Sequence, residues 1–245
     1  MRAYMTRFAF LAAAAFLPAL LLAEEPLKIH RASKDFALNL DPAAAVWKKA
    51  APVHASLDPM GKPQPANQFD FRMLWTPAYL YIHFTCPYDA LTLKPNPDAK
   101  NETNQLWNWD VTEVFVGADY NAIHRYREYQ VSPQGEWVDL DIDRKNQNGT
   151  AGVKWNSGFE VAAKIDEAKK IWYGAMKIPA ASILNGVPSA PSQNQDGLKL
   201  RLNVYRLAGK EPVNGVGPSR SIVWKPLNSR SHHTPEKFGE AVLVK

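Results

Sequence analysis

The fold is decided by the stretch Leu106-Trp107-Asn108-Trp109-Asp110-Val111-Thr112-Glu113-Val114-Phe115-Val116. Its second half is rich in β-branched and aromatic residues, and this composition predicts a strand. Because side chains alternate along a strand, Val114 and Val116 share one face, while Glu113 and Phe115 share the other with Val111. Glu113 is therefore expected on a rigid element that directly follows two tryptophans.

Two interpretations of Trp107, Trp109 and Glu113 are open from the local sequence. In the first, an indole ring packs on the C–H face of a pyranose and the carboxylate accepts hydrogen bonds from its hydroxyls. In the second, both tryptophans belong to the core and Glu113 is a solvated strand residue. The first interpretation predicts a sugar-binding surface.

Short alternating runs separated by turn signals continue to the end of the chain. Phe69–Trp75 and Tyr79–Cys86 predict one hairpin, and Tyr126–Val131 with Trp137–Ile142 predict a second. Further runs begin near residues 159, 172, 198, 221 and 241. The pattern predicts an all-β fold, an antiparallel β-sandwich of the jelly-roll or immunoglobulin-like kind. One or two short helical turns are expected, at Pro179–Leu184 and after Asp41, which is the predicted N-cap.

The N-terminus predicts export. Arg2 and Arg7 precede an apolar run, Phe8–Leu22, that is too short to cross a bilayer comfortably and has the pattern of a signal peptide. We therefore expect a signal peptide at residues 1–23, a single domain at 24–245, and a secreted or periplasmic protein without a membrane span.

Charge and cysteine content exclude other classes. The net charge is +5, but basic and acidic residues are interspersed and no Lys/Arg block could follow a phosphate backbone, so a nucleic-acid partner is not expected. Cys86 is the only cysteine, which excludes an intramolecular disulfide. It lies in a strand pattern and is expected to be a buried, inert thiol.

Few residues have a spacing that suggests catalysis or metal binding. Asp110 and Glu113 are expected to point to opposite faces and could not flank one glycosidic bond. Asp139, Asp141 and Asp143 alternate onto one face, where they could hold a structural Ca²⁺ or form a solvated edge. No Ser-His-Asp spacing or zinc motif is recognisable, and the side chains of the adjacent pair at 232 and 233 are expected to diverge.

The order of several motifs resembles the family 9 carbohydrate-binding modules over nearly the whole chain after residue 23. The motifs are Asp41 with Trp47, Leu80–Cys86, Trp107-x-x-Asp110-x-x-Glu113-Val114-Phe115, Tyr129–Pro133 with Gly135, Trp172–Pro179, Leu202–Arg206, Ser221–Trp224 and Pro235–Gly239. The resemblance implies a β-sandwich that binds a glycan non-catalytically, exported in support of polysaccharide degradation and with glycoside hydrolases as partners.

The same resemblance implies a set of binding residues. The sugar of family members lies between two tryptophans, and Trp107 matches the first of them while His232 stands at the position of the second. Glu113 matches the family's carboxylate, and Gln130 stands where the family often has an arginine. With Trp109, Asn203 and Arg206, these residues form the predicted carbohydrate-binding set, and no cofactor other than calcium is expected.

Two alternatives to carbohydrate binding are considered. Structural relatives of the family hold haem b, and Met73 with His83 on adjacent predicted strands would be the candidate ligands. A glycoside hydrolase is the third candidate, and it is disfavoured because no pair of carboxylates has a suitable predicted geometry.

Overall fold

Twelve β-strands build the part of the chain that the computed structural model describes, which is residues 25–146, 152–187, 195–209 and 219–245. The predicted signal peptide at 1–23 lies outside these ranges. The strands are β1 (Leu27–Arg31), β2 (Val53–Ala55), β3 (Phe69–Trp75), β4 (Tyr79–Pro87), β5 (Val111–Gly117), β6 (Arg125–Val131), β7 (Trp137–Asp143), β8 (Glu160–Asp166), β9 (Ile171–Pro179), β10 (Lys199–Leu207), β11 (Ser221–Val223) and β12 (Gly239–Val244).

The strands form two layers. We call β7-β6-β5-β10-β12 the front sheet and β3-β4-β9-β8 the back sheet, with β11 paired to β10 and β2 paired to β3. Neighbouring strands within each sheet are antiparallel, as predicted. β1 is the exception, because it pairs in parallel with both β12 and β3 and so joins the two sheets.

The core lies between the sheets and follows from the alternation of side chains. Val114 and Val116 of β5 pack in one buried cluster with Leu202 of β10 and with Phe84 and Met176 of the back sheet. The opposite face of β5 carries Phe115, which packs in a separate cluster on the outer side of the front sheet. The predicted β-sandwich and the predicted faces of β5 are thus confirmed.

Helical structure is limited to short pieces. The α-helix Ala180–Leu184 follows β9 as predicted, and 3₁₀ turns occupy Ala45–Lys49, Leu106–Asn108 and Pro235–Lys237. The predicted N-cap at Asp41 is wrong, because the first turn begins after Ala44. The Asp41 carboxylate instead accepts a hydrogen bond at 2.9 Å from the backbone N–H of Ala43, which closes a local turn before the helix starts.

Cys86, Met73 and His83 are all buried. Burial raises the pKa of the Cys86 thiol to about 12, as expected of an inert core cysteine. Met73 and His83 cannot hold one haem between them, because Met73 pairs across the strands with Ile82 and His83 with Arg72, which places the two side chains on opposite faces. His83 Nε2 instead lies 3.0 Å from the carbonyl oxygen of Leu40.

Within the described ranges, no helix has the length and hydrophobicity that a bilayer crossing needs.

Candidate functional site

A groove of about 990 Å³ lies on the outer face of the front sheet. Its floor is formed by outward side chains of four strands, Glu113 and Phe115 of β5, Glu128 of β6, Leu140 and Ile142 of β7 and Leu207 of β10. The walls are lined by Ser221 of β11 and by residues outside the strands, namely Asp58, Pro59, Met60, Lys62, Trp107, Ser219, Arg230, Ser231, His232 and His233. The groove therefore combines an apolar floor with two buried carboxyl groups.

The side chain of Glu113 is only 2% exposed and is fixed by its neighbours. Its Oε2 lies 3.0 Å from Nδ1 of His232, and Nε2 of the same imidazole lies 2.6 Å from the Ser221 hydroxyl oxygen. The His232 ring stacks on Tyr205, with the ring centres 4.4 Å apart and the planes 8° apart. Tyr205 is the cross-strand partner of Glu113, so β5 and β10 together position the imidazole.

Glu128 lies diagonally across from Glu113 on the same face, because Gln130 is the direct partner of Glu113 and Glu128 that of Phe115. Burial, helped by the negative charge of Glu113, raises the pKa of Glu128 well above its usual value. Gln130 Nε2 donates to Glu128 Oε1 at 2.5 Å, whereas Glu128 Oε2 has no hydrogen-bond partner in the described residues. The groove thus contains a carboxyl group whose neutral form is favoured.

His233 has different surroundings from His232. Its Nδ1 lies 2.6 Å from the hydroxyl of Tyr126, and burial lowers the pKa of the imidazole to about 4. The neutral ring also packs near Phe115, with the centres 5.2 Å apart. The two adjacent histidines therefore bond to separate partners, as their divergent directions on the chain predicted.

The segment before β5 is fixed at the groove edge by Arg220. Its guanidinium donates to the carbonyl oxygens of Trp107 and Trp109, both at 2.8 Å. Asp110 follows and is buried, where it accepts a hydrogen bond at 2.7 Å from the backbone N–H of Gly209. This scaffold leaves Trp107 half-buried and lining the groove, whereas Trp109 does not line it.

The structure thus brings together three members of the predicted set, Trp107, Glu113 and His232. Gln130 lies beneath the groove, fully buried, and its amide nitrogen is bonded to Glu128.

The last two predicted binding residues have contacts elsewhere in the fold. Asn203 is fully buried, donates to the carbonyl oxygen of Lys225 and accepts from two backbone N–H groups. Arg206 is fully buried on the inner side and donates to the carbonyl oxygens of Asn67 and Gln68. Both side chains hold loops in place.

The three aspartates of β7, for which a Ca²⁺ site and a solvated edge were both open, differ from one another in exposure. Asp139 is fully buried and accepts hydrogen bonds from the backbone N–H and the hydroxyl of Ser157. Asp141 forms an ion pair with Arg127, and Asp143 accepts from two following backbone N–H groups. Within the described ranges, no three His, Cys, Asp or Glu side chains are grouped as a metal site would need.

Sequence reasoning missed Glu128 and Ser221. The alternation of β6 places Glu128 on the same face as Gln130, which is a signal that was available. No local signal was available for Ser221, because its partner His232 is 11 positions away in the sequence, and Glu113 reaches the same groove only through the pairing of β10 with β11 and with β5.

Comparison with known proteins adds to this geometry. Residues 41–245 match the model of the family described as carbohydrate family 9 binding domain-like. The chain belongs to this family. The resemblance inferred from the motifs is thereby confirmed. A comparison with curated proteins by sequence found no significant match.

Solved structures of similar fold include family 9 modules. A carbohydrate-binding module of this family from Caldicellulosiruptor kristjanssonii, in complex with cellotriose, aligns with a TM-score of 0.59 and 12% identity over 90% of this chain and 94% of that one. The structure of a family 9 module from the same organism in complex with glucose aligns with a TM-score of 0.56 and 11% identity, over 88% of this chain and 95% of that one. A candidate carbohydrate-binding protein from Bacteroides uniformis ATCC 8492 aligns with a TM-score of 0.64 and 12% identity, over 89% of this chain and 99% of that one. At these identities the similarity establishes the family 9 fold.

Proposed function

We propose that this family 9 domain binds a glycan in the groove of the front sheet. The observation that carries the proposal is that Trp107 and Glu113 line one groove, so an aromatic face and a fixed carboxylate meet at one place. An indole offers the flat apolar surface that the C–H face of a pyranose covers, while charged acceptors select the positions of its hydroxyls.

The chemistry of the groove favours a neutral sugar of the glucose type. Lys62 and Arg230 line the same groove as the carboxyl groups, so charges of both signs are present. The solved family 9 structures with glucose and cellotriose support the choice of ligand. Binding of this kind requires no bond to be made or broken.

Calorimetry with glucose and cellotriose on matched tryptophan variants tests the proposal. We expect Trp107→Ala to weaken binding by about 1–3 kcal/mol, the range for a well-placed aromatic anchor. This corresponds to roughly 5- to 150-fold in Kd. Trp109→Ala is the control, because Trp109 belongs to the same segment but does not line the groove.

Equal losses in both tryptophan variants would contradict this site. So would unfolding of Trp107→Ala, because Trp107 would then be a core residue.

We also propose export and a role beside glycoside hydrolases in polysaccharide degradation. The N-terminal sequence supports export, since a charged segment precedes a short apolar run. Intact mass of the protein recovered outside the cytoplasm tests this point. A mature chain that still begins at Met1 would contradict it.

A further inference from the structure

Ser221, His232 and Glu113 form a continuous hydrogen-bonded chain. The Ser221 hydroxyl oxygen lies 2.6 Å from His232 Nε2, and His232 Nδ1 lies 3.0 Å from Glu113 Oε2. All three residues line the groove. A hydroxyl, an imidazole and a carboxylate in this order are the components of an activated serine nucleophile.

We propose that Ser221 is the nucleophile of an acyl-transfer site, with His232 as the general base and Glu113 as a positioning residue. The substrate class is an O-acylated sugar bound in the groove, so this inference rests on the proposed glycan binding and goes beyond it.

The protonation of the imidazole follows from its partners. Nδ1 of His232 faces a carboxylate oxygen, which is the acceptor in the proposed arrangement, so the ring proton is assigned to Nδ1. In the neutral ring this leaves the lone pair on Nε2, the atom that faces the Ser221 hydroxyl. The His232 ring is therefore oriented to accept the proton of the Ser221 hydroxyl.

The imidazole is also held in a fixed orientation. Tyr205 stacks on one face of the ring, and its hydroxyl donates to the carbonyl oxygen of His232 at 3.1 Å. Glu113 is 2% exposed and stands on a strand that is paired on both sides. A base supported by a buried carboxylate and an aromatic stack is preorganised for proton transfer.

The surroundings of Ser221 suit an ester substrate. Ser221 is the first residue of β11 and is half-buried at the groove wall. Lys62 and Arg230 line the same groove, so positive charge is present in the cavity where an oxyanion would develop. Hydrolysis of a glycosidic bond would instead use two carboxyl groups on opposite sides of that bond.

The reaction balances with water as the co-reactant. Ser221 Oγ bonds to the carbonyl carbon of the acyl group while its proton moves to His232 Nε2. The bond from that carbon to the sugar oxygen breaks, and the sugar oxygen takes the proton from Nε2. Water then gives a proton to Nε2 and bonds to the acyl carbon, after which Ser221 Oγ leaves and recovers the proton. The products are the free hydroxyl of the sugar and a carboxylic acid.

Labelling with a fluorophosphonate, followed by peptide mass spectrometry, tests the nucleophile. We expect one adduct on Ser221 in the full-length protein. Release of acetate from partially O-acetylated cello-oligosaccharides should fall at least about 100-fold in Ser221→Ala, in line with the loss of a triad nucleophile. Ser33→Ala is the control, because Ser33 is an exposed serine that does not line the groove.

The role of Glu113 is tested by a reagent without a sugar. If Glu113 positions the base, Glu113→Gln should slow fluorophosphonate labelling of Ser221 by about tenfold or more, a change that loss of sugar binding could not cause. Unchanged labelling would remove Glu113 from the triad.

The two proposals fail separately. Absence of an adduct on Ser221, together with acetate release no faster than in Ser221→Ala, overturns the acyl-transfer site even if calorimetry shows cellotriose binding. Labelling of Ser221 in a protein that binds no glycan would instead overturn the proposed function, and with it the assignment of a sugar ester as substrate.

Discussion

The buried carboxyl group of Glu128 makes a quantitative prediction about stability. Burial and the charge of Glu113 raise the pKa of Glu128 in the folded protein, whereas in the unfolded chain this carboxyl group titrates near its ordinary pKa of 4.5. Above that pH the folded state holds one proton more than the unfolded state until Glu128 itself ionises. The free energy of unfolding must therefore decrease as the pH rises through this interval.

The size of the effect follows from the count of protons. One retained proton changes the free energy of unfolding by about 1.4 kcal/mol per pH unit. From pH 5 to pH 7 the wild type should therefore lose up to about 2.7 kcal/mol relative to Glu128→Gln. The amide keeps the shape of a carboxylic acid and can still accept from Gln130, but it carries no titrating proton.

Urea unfolding of both proteins at pH 5, 6 and 7 measures this difference. Glu236→Gln serves as the control, since Glu236 is exposed on the 3₁₀ turn before β12. The free energy of unfolding of Glu236→Gln should change between pH 5, 6 and 7 by the same amounts as that of the wild type. If the free energy of unfolding of Glu128→Gln shows the same pH dependence as that of the wild type, the reasoning is refuted. Glu128 would then have the same pKa in the folded and unfolded states.

Three further predictions concern the groove, the aspartates and the packing of β12. Glu113→Gln should weaken glycan binding by roughly 1–3 kcal/mol, the range for hydrogen bonds to charged groups; calorimetry that shows unchanged affinity at a normal Tm would remove Glu113 from the sugar contacts. EDTA should leave Tm unchanged, because Asp139 is bonded to Ser157; a drop that Ca²⁺ restores would establish a structural calcium. Gly239→Ala should destabilise the protein by about 1–3 kcal/mol, because the added Cβ would lie 2.8 Å from the Trp224 ring; urea unfolding measures this, and an unchanged midpoint would show that the ring moves aside.

Most of the strands that the sequence predicted have enough residues for alternation to be visible. The residues of Tyr79–Cys86 alternate in sequence along most of β4, and both hairpins were recognised from their turns. β1 and β2 were not recognised from their five and three residues, whereas the equally short β11 was recognised from Ile222 and Val223 beside Trp224. The parallel pairing of β1 depends on partners far along the chain, which no local pattern reveals.

The site was predictable only where its members are neighbours in sequence. Trp107 and Glu113 are six positions apart, and the motif that joins them is local. The burial of Glu113 was not predictable, because His232 and Tyr205 cover it from distant parts of the chain. Asp139 is buried for a similar reason, since the segment around Ser157 closes over it.

The position of β1 has a consequence for how the protein is made. One edge of β1 pairs early with β3, but Leu27 on its other edge pairs with Ala241 of β12, a partner more than 200 residues further along the chain. Contacts with such long sequence separation slow folding, because the chain must close a very large loop before they form. A ribosome-bound chain that ends before β12 therefore has one β1 edge without its partner, and that edge is exposed to association with other chains until β12 has been synthesised.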